Sequence, residues 1–397
     1  MRDIGNLLPG DDDPMRRAVR EWLTRNPRPS AEALARAGYV APHWPRPWGL
    51  DATPIEQLIV DDEVRRAKVQ RPNNPIAIGW AGPTLIMAGT QQQKDAYLFD
   101  MLSGAKFWCQ LFSEPESGSD LASLRTSAVR DGDEWVVNGQ KIWTSGAQIA
   151  SYGILLARTD AHADKHNGIT YFICPMNLPG IEVRPIREMT GGATFNEVFF
   201  TDVRIPHANV VGEVHDGWRL ARVTLSNERV SLSSGGALWG MGPSANDVID
   251  ACRAHRASGA NLSAVMRDEV VALYVEHQIL ELVRLRTLVQ RIAGREPGPE
   301  ASVRKILADE HGQRVMEVGK ALIGAGAMLS DARDVEVSPP FVEFGSSGFS
   351  HGYLFARALT VGGGTGEVQR NILAERVLGL PRDTPSTTLV AHGNQTT

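Results

Sequence analysis

The spacing of apolar residues divides the chain into a helical part, a strand-rich part and a second helical part. Up to about Gly104, apolar positions recur at helical spacing, and Ser30–Gly38 has a capping serine and a terminating glycine. Further helices are predicted over Ile55–Ala67 and Thr90–Leu102, on the far side of a connector rich in proline and tryptophan, His43–Gly49. The pattern therefore predicts a helical N-terminal domain.

Short segments typical of strands begin near Phe107. Asn138-Gly139 is a strong hairpin signal, and Asp131-Gly132 predicts another turn just before it. The spacing of these strands favours a small barrel or sandwich that ends near Pro206. The predicted strands are Glu134–Val137, Gln140–Trp143, Ile154–Ala157, Ile169–Cys174, Ile181–Ile186 and Glu197–Phe200.

Helical spacing returns after Gly217. The predicted long helices are Trp218–Leu232, Ala245–Ala257, Arg267–Ala293 and Ala301–Ile323. A stretch rich in proline, glycine and serine, Ser338–Gly352, predicts a loop before a final helix, Gly366–Val377. Because strands and helices do not alternate, a dinucleotide-binding βαβ sheet is not expected.

We therefore predict an α+β protein of several domains. The helical N-terminal domain covers residues 1–106, and a β-barrel or β-sandwich middle domain covers residues 107–212. A C-terminal four-helix bundle covers residues 213–383 and precedes a polar tail, 384–397.

Composition narrows the function without defining it. The chain has 397 residues, 42% of them hydrophobic, and a net charge of −5, which disfavours nonspecific nucleic-acid binding. No window reaches the roughly 20 apolar residues of a membrane span, and Met1–Gly10 lacks the layout of a signal peptide. Cys109, Cys174 and Cys252 form no paired motif, so neither a disulfide framework nor a paired-cysteine zinc site is expected. A soluble cytoplasmic protein is predicted.

Three segments could bind a ligand, and each also has a plain structural interpretation. Leu111–Asp120 offers N–H groups and hydroxyls to an anionic or heteroaromatic ligand, or it is a solvated connector. Ile142–Gly146 places a tryptophan before two hydroxyls, which could stack on and hydrogen-bond a flat cofactor, or the tryptophan belongs to the core. Gly362–Gly366 precedes a helix and can hold a phosphate, or it is an ordinary loop.

The fourth candidate segment is Asn227–Arg229, which lies within an apolar-faced helix. A glutamate next to an arginine is usually part of a solvated helix face. Buried beside a ligand, Glu228 would instead be suited to proton abstraction at neutral pH. The small residues Ser233–Ala237 that follow are compatible either with a roomy pocket or with close helix packing.

Taken together, these motifs resemble the flavin-dependent acyl-CoA dehydrogenase family. They occur in the family's order and span the chain from about Gly89 to Pro381. The resemblance implies a helical N-domain, a β middle domain and a four-helix C-domain, with FAD between the last two. The motifs that carry it are Glu114–Asp120, Asn138–Thr144, Phe195–Pro206, Gly363–Arg370 and Ala374–Gly379.

The resemblance also implies which residues bind FAD. Leu111, Phe112 and Ser113 are expected to meet the polar edge of the flavin, and Ser119 to lie near a phosphate. Trp143, Thr144 and Ser145 are expected to flank the ring, with Arg267 crossing to the FAD of a neighbouring subunit. Thr365 and Glu367 are the expected contacts from the final loop.

The position of the catalytic base departs from the commoner pattern of the family. Many members carry a glutamate where this chain has Gly363, whereas a smaller set, similar to isovaleryl-CoA dehydrogenase, carries it beside an arginine on the first C-domain helix. Glu228 next to Arg229 matches that place. We therefore expect Glu228 to take the Cα proton of an acyl-CoA while hydride passes to flavin N5, giving the 2,3-enoyl-CoA. The expected substrate-binding residues are Ser119, Arg229, Gly363 and Gly364.

The resemblance further implies an electron-transferring flavoprotein as acceptor and a homo- or heterotetramer. Two alternatives stay open at this point: a flavin-poor structural subunit of a heterotetramer, and a flavin monooxygenase or oxidase on the same fold. The acyl chain, whether straight, branched or polycyclic, is also left open.

Overall fold

The predicted α+β fold class is confirmed. Helices are followed by a curled sheet and then by a second helical region, whereas the domain boundaries after residues 106 and 212 stay predictions. The predicted polar tail falls outside the described part of the chain. The computed structural model describes residues 8–232, 242–259, 261–292, 298–299, 301–328 and 348–382.

Side-chain caps fix where the N-terminal helices begin. The Ser30 hydroxyl accepts the N–H of Ala33, and Thr53 and Thr90 each form a reciprocal capping box. The two helices predicted after the connector lie within one residue of their expected bounds. The described α-helices of this region are α1 (Pro14–Arg25), α2 (Ala31–Arg36), α3 (Pro54–Arg66), α4 (Gly82–Ala88) and α5 (Gln91–Ser103).

Periodicity alone missed a π-helical turn, Ile76–Ala81, that runs directly into α4. At the joint, a Cβ on Gly82 would lie 2.3 Å from the ring of Trp44. Trp44 belongs to the predicted connector, yet it is buried. The connector therefore supplies part of the N-terminal core, and Gly82 leaves room for it.

The middle region forms one seven-stranded sheet among the described residues. Its strands are β1 (Trp108–Leu111), β2 (Ser127–Asp131), β3 (Glu134–Lys141), β4 (Tyr152–Arg158), β5 (Ile169–Pro175), β6 (Ile181–Pro185) and β7 (Asn196–Pro206). They pair in the order β1-β4-β2-β3-β7-β6, and β5 pairs with β4. β4 and β5 are buried over nearly their whole length, so that both faces of the sheet are covered there.

The hairpin predicted at Asn138-Gly139 is wrong. β3 continues through both residues, and the turn lies at the other predicted position, Asp131-Gly132. At Asn138 the pairing of β3 with β7 shifts register, and the Asn138 amide donates to the Asp202 carboxylate at 3.0 Å. A Cβ on Gly139 would lie 2.5 Å from Thr126 Oγ1. The Asn-Gly pair therefore marks a bulge with close backbone approach, not a turn.

The loop predicted over Ser338–Gly352 is wrong at its C-terminal end. Gly348–Gly352 is helical, because Phe349 packs so closely on Gly319 that a Cβ there would lie 2.1 Å from its ring; residues 338–347 lie outside the described residues. Tertiary packing thus overrides a local composition rich in glycine and serine. The described C-terminal α-helices are α6 (Gly217–Leu232), α7 (Ala245–Ala257), α8 (Ala264–Ile292), α9 (Ala301–Ile323), α10 (Gly348–Phe355) and α11 (Gly366–Arg376).

A cluster of buried hydroxyls fixes α6 to the rest of the molecule. Thr224 Oγ1 on α6 lies 2.8 Å from Thr84 Oγ1 on α4 and 3.1 Å from the hydroxyl of Tyr171 on β5. All three regions of the chain meet at this point. Glu228 follows Thr224 by four residues and so lies on the same face of α6, one turn further along.

Candidate active site

Glu228 lies buried where α6 meets the sheet, with 7% of its surface exposed. Its Oε2 accepts a hydrogen bond from Gln110 Nε2 at 3.0 Å. Gln110 is on β1 and directly precedes Leu111, so this contact links the candidate base to the segment expected at the flavin. The solvated helix face that a Glu-Arg pair often indicates is not found at Glu228.

A buried ion pair holds the segment after β1 in place. Lys141 Nζ, which is fully buried, donates to Glu114 Oε1 at 2.8 Å and to the carbonyl oxygen of Phe112 at 3.0 Å. The Glu114 carboxylate also accepts the backbone N–H groups of Arg125 at 2.6 Å and Thr126 at 2.9 Å. The first part of this candidate segment, residues 111–114, is thus ordered by buried polar contacts, whereas Pro115, Glu116 and residues 118–120 are exposed.

Burial and pairing shift the pKa values of Lys141 and Glu114 in opposite directions. Burial lowers the pKa of Lys141 to about 8, which still leaves the amine protonated at neutral pH. Burial by itself would raise the pKa of Glu114, but Lys141 and the backbone donors hold it below its ordinary value. Both groups are therefore charged at neutral pH, and each depends on the other.

Backbone hydrogen bonds join the first two candidate segments. The N–H of Ile142 donates to the carbonyl of Ser113 at 2.9 Å, immediately after Lys141. The carbonyl of Thr144 accepts both the backbone N–H of Asn196 at 3.0 Å and its side-chain amide at 2.9 Å. Residues 111–113 and 142–146 therefore lie side by side at one end of the sheet.

Trp143 is exposed and its backbone is strained. Its φ of 60° lies in the left-handed region, 58% of the residue is exposed, and its ring meets Phe195 edge-on at 6.1 Å. An aromatic residue held in this conformation costs about 1–3 kcal/mol and is typical of functional sites. Next to it, Thr144 Oγ1 is buried with no hydrogen-bond partner in the described part of the chain, and Ser145 is half-buried.

The glycine loop before α11 has a conformation that requires glycine. Gly363 and Gly364 have φ values of 67° and 90°. The buried amide of Gln369 donates to both of their carbonyl oxygens, at 3.2 and 3.4 Å, while their own N–H groups donate to no described residue. The Thr365 hydroxyl caps α11 by accepting the N–H of Val368.

The loop is also held from beneath by α9. Lys305 Nζ is buried, pairs with Asp309, and donates to the carbonyl of Leu359 at 3.0 Å. Gln313 donates to Thr360 Oγ1 at 3.3 Å. The glycine loop is therefore a supported element and not an ordinary flexible connection.

Three predicted residues are not joined to this centre. Ser119, Arg267 and Glu367 are exposed, and no described hydrogen bond links any of them to Glu228. The pKa of Glu367 is held below its ordinary value by its own backbone N–H and the Thr365 hydroxyl. The side chain of Arg229 lies outside the part that the structure describes.

Sequence reasoning missed three supporting residues: Gln110, Lys141 and Gln369. Each is a polar side chain on a strand or helix and contacts a predicted site segment. For Gln110 a signal was available, because an amide between the fully buried Cys109 and Leu111 breaks an otherwise apolar strand. Such a residue needs a partner, and here the partner is Glu228.

These features fit FAD. An exposed indole beside half-buried and unpartnered hydroxyls suits a flat ring with polar edges, and ordered N–H groups suit its carbonyls and phosphates. In the described residues, no group of three or more acidic, histidine or cysteine side chains could hold a metal ion. No helix there is both long and apolar enough to cross a membrane.

Protein-family models match most of the chain in three consecutive parts. The N-terminal, middle and C-terminal domains of acyl-CoA dehydrogenase match residues 12–105, 109–203 and 215–378. The chain therefore belongs to the acyl-CoA dehydrogenase family of oxidoreductases.

Two relatives from Mycobacterium tuberculosis illustrate this similarity. The acyl-CoA dehydrogenase FadE34 is 42% identical over 351 residues, which cover 88% of this chain but 46% of FadE34. The chain thus spans about half the length of that relative. The acyl-CoA dehydrogenase IpdE1 is 36% identical over 353 residues, covering 89% of this chain and 87% of IpdE1.

Solved structures show the same fold. The Tcur3481-Tcur3483 steroid ACAD aligns with a TM-score of 0.75 and 30% identity, covering 96% of this chain and 95% of that chain. The ChsE4-ChsE5 complex from Mycobacterium tuberculosis aligns with a TM-score of 0.71 and 30% identity, covering 93% and 97%.

Proposed function

We propose that this protein oxidises an acyl-CoA thioester to the 2,3-enoyl-CoA, with FAD as cofactor and Glu228 as the base. The observation that carries the proposal is the position of Glu228. It is buried and accepts a hydrogen bond from Gln110, the residue that directly precedes Leu111–Ser113. Family membership supports the reaction class, and the position of this carboxylate supports Glu228 as the base.

The chain's own residues provide the proton chemistry. A thioester Cα–H is weakly acidic, so its removal needs a positioned base and a stabilised oxyanion. Glu228 would accept the proton on its carboxylate. The N–H groups of Gly363 and Gly364, which have no described acceptor, would hold the thioester oxygen. Arg229 follows the base and is proposed to contact the substrate.

The FAD would be held by the segments that the buried ion pair and the bulged sheet order. Bound there, it supplies a hydride acceptor for the β-carbon of the substrate. Leu111, Phe112 and Ser113 would contact its polar edge and Ser119 a phosphate. The residues proposed at the ring and the final loop are Trp143, Thr144, Ser145, Thr365 and Glu367.

A second subunit is proposed to complete the cofactor site. Arg267 is exposed on α8, and the same helix exposes Val275, Leu282 and Val289 at a seven-residue spacing. A row of apolar side chains on one helix favours a protein partner. The ChsE4-ChsE5 complex, the paired name Tcur3481-Tcur3483 and the roughly double length of FadE34 support pairing with an identical or a related chain.

The relatives also support a proposal for substrate and acceptor. One solved relative is named a steroid ACAD, so a branched or polycyclic acyl-CoA is proposed ahead of a simple straight chain. An electron-transferring flavoprotein is the proposed acceptor. A cytoplasmic location stays a prediction from the cysteine content and the composition.

The test is a panel of straight, branched and steroid side-chain acyl-CoAs mixed anaerobically with the purified, FAD-loaded protein. We expect flavin bleaching and one equivalent of 2,3-enoyl-CoA with at least one branched or polycyclic member. A protein that binds no added FAD, either alone or together with the related chain proposed to complete its cofactor site, would indicate a structural subunit. Rapid reoxidation of the reduced protein by O₂ would indicate an oxidase or monooxygenase. Either result would contradict the proposal.

A further inference from the structure

Gln110 has an unusual environment for a strand residue. Its Nε2 donates to Glu228 Oε2 at 3.0 Å, and its Oε1 is buried with no hydrogen-bond partner among the residues that the structure describes. A buried amide oxygen without a partner is costly in the resting state. The Nε2 end of the amide therefore contacts Glu228, whereas the Oε1 end has no partner in the resting state among the described residues.

Both partners of this hydrogen bond are fixed. Gln110 pairs with Ile154 on β4, and its neighbours Cys109 and Leu111 are fully buried. On the other side, Thr224 clamps α6 one turn before Glu228. Because β1 and α6 are both held in place, the Gln110 amide and the Glu228 carboxylate meet in one preorganised geometry.

We propose that Gln110 is the positioning residue for the base, and that its amide serves both protonation states of Glu228. This inference rests on the proposed function of Glu228. In the ionised state the Nε2–H group donates to the carboxylate. In the protonated state the amide turns over, and Oε1 accepts the hydrogen bond from the carboxylic acid.

The proton balance is simple. The substrate Cα–H bond breaks, its proton forms an O–H bond on Glu228, and the carboxylate becomes a neutral acid. Gln110 neither gains nor loses a proton. Rotation of its amide exchanges a donor for an acceptor of nearly the same shape. The hydrogen bond to Glu228 is kept, and the end of the amide without a partner in the described part of the chain is Nε2 in place of Oε1. Rotation of the Gln110 amide therefore limits the free-energy penalty of burying Glu228 in either protonation state.

The other charged and titratable groups lie on α6 itself and on the elements packed against it. The π-helical turn Ile76–Ala81 and α4 carry none, Tyr171 on β5 bonds Thr224, and burial raises the pKa of the Cys109 and Cys174 thiols. On α6 itself Arg219 pairs with Asp216, while Arg222 and Arg229 complete its charged residues. The charged and titratable side chains of α9 are Arg304, Lys305, Asp309, Glu310, His311, Arg314, Glu317 and Lys320.

The test compares Gln110→Met with a matched control, Gln140→Met. Gln140 Nε2 also donates to a glutamate, Glu197, at 2.8 Å, but within the sheet and away from Glu228. Infrared pH titration of the FAD-loaded protein follows the carboxylic-acid band that Glu228→Gln lacks. Gln110→Met removes a hydrogen bond from both protonation states of Glu228, and the bond to the charged state is the stronger one by about one pKa unit. The variant should therefore raise the midpoint by about 1 unit. Gln140→Met should leave it unchanged.

Two further readouts separate positioning from a merely structural role. In Gln110→Met the acid limb of the flavin-bleaching rate, measured with the best acyl-CoA of the panel, should shift in step with the infrared midpoint. The band itself should move to higher frequency, because the acid loses its acceptor. In the wild-type protein, a glutamine side-chain amide NMR signal should titrate with the same midpoint and stop titrating in Glu228→Gln; this holds even if Gln110→Met does not fold.

An unchanged midpoint in folded, flavin-loaded Gln110→Met would overturn the inference, as would the absence of any titrating amide signal in the wild-type protein. Its failure is distinguishable from that of the proposed function. If Glu228→Gln bleaches its flavin at the wild-type rate, the base is wrong. If Glu228→Gln is inactive while Gln110→Met keeps the wild-type midpoint, only the role of Gln110 is wrong.

Discussion

Removing Lys141 should damage both the stability of the sheet and the retention of flavin. Lys141→Met keeps most of the volume but leaves the Glu114 carboxylate buried with two backbone donors and no countercharge. Breaking a buried ion pair by deleting one partner costs about 3–5 kcal/mol. That is a large part of the free energy of unfolding of a typical domain, about 5–15 kcal/mol. The lost contact to the carbonyl of Phe112 should also release the segment expected at the flavin.

The matched control is Lys165→Met. Lys165 Nζ lies 2.6 Å from Asp120 in the same segment, but the two side chains are 48% and 58% exposed. An exposed pair of this kind contributes under about 1 kcal/mol. The double variant Glu114→Gln/Lys141→Met should lose less stability than the sum of the two single variants, because it removes both buried charges together.

The assay is urea unfolding followed by circular dichroism, with flavin fluorescence as a separate report of cofactor release. We expect Lys141→Met to unfold at clearly lower urea and to lose flavin before the sheet unfolds. Equal losses in Lys141→Met and Lys165→Met would refute the reasoning, since burial would then not decide the cost.

Three further predictions follow from other parts of the chain. Arg267→Ala should reduce flavin occupancy more than thermal stability, because the lost group is a proposed phosphate contact; unchanged occupancy after gel filtration would exclude that role. Gly363→Ala should lower the free energy of unfolding by about 1–2 kcal/mol because φ is 67°, whereas Gly118→Ala, where a Cβ meets nothing within 4 Å, should not. Burial would raise the pKa of Asp62 and of Glu63, but their arginine partners outweigh it and hold both pKa values below the ordinary ones. The stability that these two carboxylates supply is therefore present above about pH 5 and is lost on acidification. The urea midpoint of unfolding should accordingly fall less between neutral and acid pH in Arg16→Met than in the wild-type protein.

Much of the fold could be predicted because hydrophobic periodicity is a local property. The bounds of α7 and α9 follow from it directly, and α3 and α5 lie within one residue of expectation. The failures occur where contacts distant in sequence decide. Asn138-Gly139 has the composition of a turn, but pairing with β7 and contact with Thr126 make it a bulge. α10 forms because Phe349 packs on α9, not because its own residues favour a helix.

In the candidate site too, local motifs could be predicted from the sequence, whereas contacts between distant residues could not. Motif resemblance leads to Glu228 and to the segments at 111–120 and 142–146. The side chains that order these segments could not be identified from spacing, because Gln110 and Glu228 are 118 residues apart and Lys141 and Glu114 are 27 apart. Buried polar pairs of this kind become visible only when the fold brings both partners together.

The most direct test of the central claim is the rate of flavin bleaching in Glu228→Gln, with Glu197→Gln as control. Both variants replace a carboxylate that accepts a glutamine amide, but Glu197 lies on β7 beside Gln140. Glu228→Gln should keep its flavin and still bind acyl-CoA, while bleaching slows at least about 100-fold, the low end of a general base's contribution. Glu197→Gln should react at the wild-type rate. Bleaching of Glu228→Gln at the wild-type rate would contradict the account.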